Sequence, residues 1–108
     1  MLNMNIMISV ELEMSIKKLD VDINKAINEI DIQTTFIDAK YSGDSLRDME
    51  LINTINKEML KLTKIINILK DIEMEAIKIN DTTVYFKCEN RIAKLINIME
   101  LLRSKYLF

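Results

Sequence analysis

The side chains that could do covalent or acid–base chemistry are few. Cys88 is the single cysteine, and the 108 residues include no histidine. A thiol nucleophile needs a base to take its proton, and histidine is the usual one. Without it, Cys88 reads as a small buried hydrophobe. A lone cysteine also excludes an intrachain disulfide, and the histidine-containing ligand sets for zinc and haem are missing. Carboxylates do occur in pairs, Asp71 with Glu75 and Asp20 with Asp22. A diiron centre in a helical bundle, however, asks for Glu-x-x-His on two helices, so these acids read as a solvated face. The one glycine cannot build a phosphate-cradling loop. The expectation is a non-enzyme with no cofactor, no metal site and no small-molecule substrate.

Binding chemistry is the remaining possibility, and charge limits it. The net charge is −2, which gives no general attraction to nucleic acid or to an anionic membrane surface. The charge is unevenly placed. Residues 11–50 carry 10 acids and 5 bases, residues 51–83 carry 5 of each, and residues 84–108 carry 2 acids and 5 bases. An acidic first part and a basic last part could attract each other within a bundle or between neighbours. Lys87, Arg91 and Lys94 share one face of the last segment. They form the candidate basic surface for nucleic acid, though solvation is the simpler reading of a few cations in an acidic chain.

Almost everything else in the sequence is helical pattern. A stretch of 108 residues with 49% hydrophobic residues and no proline fits one domain, residues 1–108, with a thin core. The corner Tyr41-Ser42-Gly43-Asp44-Ser45 contains the single glycine, which can end one helix in the left-handed conformation while Asp44 or Ser45 caps the next. Before it, Leu12, Ile16, Leu19, Ile23, Ala26, Ile30, Ile37 and Tyr41 follow steps of three and four, predicting a helix from about residue 9 to 41. The even positions from Met4 to Ile16 are also all apolar, which is strand alternation. Residues 1–8 are therefore expected as a frayed or paired extension.

After the corner, Ile52, Ile55, Met59, Leu62, Ile66, Leu69 and Ala76 form one seam, broken by Glu73. Ile65, Ile68, Ile72 and Ile79 form a second ridge beside it. Two apolar ridges predict two neighbours, and self-association is expected through whichever seam one chain leaves uncovered. Asn80-Asp81-Thr82-Thr83 is the second break. Beyond it comes a heptad of coiled-coil type: Tyr85, Cys88, Ile92, Leu95, Met99, Leu102 and Tyr106. A short strand at 84–88 pairing with residues 4–10 is the alternative there. The fold class is all-α: an antiparallel hairpin of two long helices plus a shorter third, a three-helix bundle.

The order helix, Tyr41-Ser42-Gly43, helix, followed by Tyr85-Phe86-Lys87-Cys88-Glu89, resembles the WXG100 group of helical-hairpin proteins exported by type VII secretion systems. Tyr41 stands where that group has tryptophan, and Tyr85 with Glu89 is similar to its Tyr-x-x-x-Asp/Glu export signal. The resemblance implies a secreted or secretion-associated helical protein that binds a protein partner. It is made in the cytoplasm and leaves, if it does, without a cleaved signal peptide. No apolar run reaches the ~20 residues that span a bilayer. Two other readings stand beside it: a phage- or host-encoded helical inhibitor or scaffold for another protein, and a small nucleic-acid-associated regulator using the basic third helix.

Overall fold

The computed structural model describes residues 2–40 and 49–107; the expected corner at Tyr41, Ser42 and Gly43 lies outside the described residues. Three helices make up nearly all of it: α1 (Leu2–Lys40), α2 (Met49–Lys78) and α3 (Thr82–Tyr106). Cross-helix pairs fix their directions. Lys40 meets Glu50 and Lys61 meets Glu29, so α1 and α2 are antiparallel. Thr63 meets Met99 and Glu73 meets Glu89, which makes α3 antiparallel to α2 and parallel to α1. The bundle measures 63 × 21 × 17 Å, as expected when ~1.5 Å per residue is laid out along a 39-residue helix. None of the three helices is long and apolar enough to cross a membrane.

The core is one continuous column. Ile16, Leu19, Ile23, Ala26, Ile30 and Ile37 of α1 pack on both ridges of α2 and on Val84, Cys88, Ile92, Leu95, Leu102 and Tyr106 of α3. Helix α2 lies between the other two and buries Leu62, Ile65, Ile66, Leu69, Ile72 and Ala76. Of its second ridge, Ile65 and Ile72 are buried within the bundle, on the side where Lys61 reaches Glu29 of α1, while Ile68 stays exposed.

Among the described residues there is no strand, and helix α1 begins at Leu2 rather than near residue 9. The even-numbered apolar residues that suggested strand alternation are divided by the helix between two faces. Ile16 is buried, while Met4, Ile6, Val10 and Met14 point outward. Residues 84–88 likewise belong to α3, with Val84 and Cys88 in the core. Beyond its first turn a helix supplies its backbone hydrogen bonds from its own segment, so residues 2–8 need no pairing strand.

The α2–α3 corner is tight. Asn80 has φ 57°, the left-handed residue that ends a helix. The Asp81 amide reaches back to the Ala76 carbonyl at 2.9 Å and the Asn80 amide to the Ile77 carbonyl at 3.1 Å, a Schellman closure. Asp81 then caps α3, its side chain accepting from the Val84 amide at 3.1 Å. The same carboxylate accepts from Ser9 Oγ at 2.6 Å, tying α1 to the corner. Because Ser9 marks the level where α2 ends and α3 starts, the preceding residues of α1 run past the rest of the bundle by about 10 Å.

Candidate interaction surfaces

Helices α1 and α3 are joined mainly by charge. Lys87 Nζ donates to both carboxylate oxygens of Glu13, at 2.8 and 2.7 Å. Arg91 holds Asp20 with two bonds, Nε to Oδ1 at 2.6 Å and Nη2 to Oδ2 at 2.8 Å. At the far end Asp38 accepts from Lys105 at 3.0 Å and from the Tyr106 hydroxyl at 2.8 Å. The hydrogen bond from Arg91 holds the Asp20 carboxyl below the usual range, and those from Tyr106 and Lys105 do the same for Asp38. The attraction expected between an acidic first helix and a basic last one is therefore made inside one chain. Of the candidate basic face, Lys87 and Arg91 are paired with α1, while Lys94 is exposed.

The acid pairs named from sequence are not brought together into a site. Asp71 and Glu75 are exposed on α2, and Glu75 pairs with Lys78. Asp20 belongs to Arg91, and Asp22 is exposed. A different carboxyl pair spans the α2–α3 interface. Glu73, the residue that broke the α2 seam, faces Glu89, and its Oε2 is buried without a hydrogen-bond partner. Burial, then the hydrogen bond and charge of Glu89, push the Glu73 carboxyl up to about 7. At that value a proton on the pair is available to donate from one carboxyl to the other.

Tyr85 and Glu89, the residues similar to an export signal, lie beside this pair, and the charge of Glu89 pushes the Tyr85 hydroxyl up. Tyr85 also stands edge-on to the exposed Phe86, ring centres 5.3 Å apart. Cys88 is fully buried, and burial raises its thiol to about 11. That agrees with a packing role, since the thiolate is the reactive form.

Sequence reasoning missed two features. Glu58 is 4% exposed in the α2 core, with Oε1 on Lys61 at 3.3 Å and Oε2 lacking a partner among the described residues. Its position between Ile55 and Leu62, in step with the buried seam, was the available signal. The second feature is larger. Met7, Val10, Met14, Val21, Ile32 and Phe36 are each more than half exposed. With Lys18, Lys25 and Asn28 they step by three or four along the side of α1 that faces away from α2 and α3. The full series was readable in the sequence, but only the packed bundle shows which stripe of α1 is covered. No family model matches the chain, and no curated protein or solved structure matches it.

Proposed function

We propose that the chain is a non-enzymatic helical protein–protein interaction module. The observation that supports this best is the outer stripe of α1. A helix with apolar residues on two opposite faces has its second face suited to another helix, and a run of exposed apolar residues on an otherwise charged surface is a common mark of an interaction site. Exposed Met4, Ile6 and Met7, in a stretch without charged side chains, extend the apolar surface of α1 beyond the end of the bundle. The resemblance to the WXG100 group makes a type VII secretion substrate or effector partner the setting we place first. A helical inhibitor or scaffold for another protein fits the same surface. Nucleic-acid binding through Lys87, Arg91 and Lys94 has less support, because the first two already pair with acids of α1.

The test compares gently lysed host cells producing the wild-type chain with cells producing a Val10→Glu, Val21→Glu variant. Both positions are exposed, so the variant keeps its helical content. The wild-type chain is expected to elute in an assembly larger than one chain, and the variant to leave it. Identical elution of both as single chains overturns the proposal.

A further inference from the structure

The α1 stripe has a charge pattern that selects its occupant. Helix α1 has two sets of charges near its N-terminal half. Glu13 and Asp20 face α3 and are bonded to Lys87 and Arg91. Glu11 and Lys17 on either side of the outer stripe, and Lys18 within it, are exposed and take part in none of the ion pairs among the described residues. We infer that this outer face of α1 is the interface for a second copy of the same chain, the two α1 helices packing antiparallel about a two-fold axis at Met14. The inference rests on the interaction-module reading and names its partner.

The register follows from matching the stripe to itself. In an antiparallel pair centred on Met14, the two Met14 side chains meet and Met7 lies against Val21 of the second copy. Glu11 then lies beside Lys18 on the same flank of the second copy, and by symmetry this happens twice. An interface between identical chains must be self-complementary in this way. Another register is worse: an antiparallel pair centred on Val21 sets Lys18 beside Lys25 of the second copy. Like charges placed opposite each other cost stability, whereas acid facing base steers the register. The stretch before Glu11 carries no charged side chain, so no side-chain charge repels the second copy where it passes over Met7 and Val10. Flexible Met14 suits a contact between identical side chains on the axis.

The experiment uses the full chain with one cysteine added at a time, wild type serving as the control for buried Cys88. Met14→Cys is expected to give mostly disulfide-linked dimer under mild oxidation, because the two-fold axis brings the residue onto itself. Ile32→Cys is equally exposed on the same stripe, but its copies would sit on the order of 50 Å apart, so it is expected to stay monomeric. Sedimentation equilibrium then reads the charge pairing. Glu11→Lys is expected to weaken the dimer about tenfold, and adding Lys18→Glu to restore it. A wild-type chain that is monomeric at tens of micromolar overturns the inference, as does dimerisation in which Ile32→Cys cross-links and Met14→Cys does not. Monomeric purified protein alongside a larger assembly in the host lysate leaves the interaction reading standing with a different partner, so the two failures are distinguishable.

Discussion

Glu73 shows how one residue can set the pH response of the whole chain. Its carboxyl titrates near 7 in the folded state because it is desolvated beside Glu89, against about 4.3 for an unperturbed glutamate. The folded chain therefore binds this proton more tightly than the unfolded chain does. The stabilisation is complete below the unfolded value and is lost as pH rises toward 7. Asp20, Asp38 and Asp81 are shifted the other way by Arg91, by Tyr106 with Lys105, and by Ser9. Their contribution is present above the ordinary carboxylate range and lost as pH falls through their lowered values. Stability should thus peak at mildly acidic pH, near 5. Glu73→Gln, neutral throughout, is expected to flatten the fall between pH 5 and 8. Solvent reaches much of this side chain, so the wild-type loss should be on the order of 1 kcal/mol, about 4 °C in melting temperature. Thermal melts across pH check it; a slope that the substitution leaves unchanged contradicts the assignment.

At the scale of elements, the α2–α3 corner is where a local rule decides the path. Asn80 occupies the left-handed region, which asparagine tolerates, glycine adopts freely and a β-branched residue resists. Asn80→Val is expected to cost about 1–2 kcal/mol, while Asn80→Gly should be neutral within about 0.5 kcal/mol. Chemical denaturation of the two variants measures the order. Equal stability would mean that the corner does not depend on the Schellman closure. The break at Asn80–Thr83 was legible from composition, because these residue types end and begin helices through their own backbone hydrogen bonding. The strand alternative for residues 4–10 and 84–88 had a real period-two signal. It lost because the same residues, wound as helix, place Val84 and Cys88 in the core and leave Met4 and Ile6 outside.

At the scale of the molecule, α2 is the shared wall, and α3 is held to α1 largely by long polar side chains. The Arg91–Asp20 pair is bidentate and partly buried, with side chains 28% and 38% exposed, whereas Lys78–Glu75 lies on one helix and is 66% and 52% exposed. Geometry of the first kind stabilises; exposed pairs contribute little. Arg91→Met, which keeps the aliphatic stem, is expected to lower stability by about 1 kcal/mol, and Lys78→Met by less than about 0.5 kcal/mol. Raising the salt concentration should shrink the difference, as followed by urea titration.

The sequence by itself determined the helical class, the second corner, most of the core and the opposed charge of the first and last segments. Each is a property of spacing along one helix or of a residue's own backbone preference. Ile16, Leu19, Ile23, Cys88, Leu95 and Leu102 could be placed inside because a period of 3.6 puts them on one face. Tertiary structure decided which faces meet. Two ridges on α2 looked like an invitation to another chain until the bundle itself buried Ile65 and Ile72 of the second one. Lys87 and Arg91 looked like a free basic face until α1 brought Glu13 and Asp20 against them. The buried Glu58, the proton held near Glu73 and the uncovered stripe of α1 depend in the same way on what the neighbouring helix presents. One-dimensional spacing fixes which residues share a face, but burial and charge pairing are set by the helix on the other side.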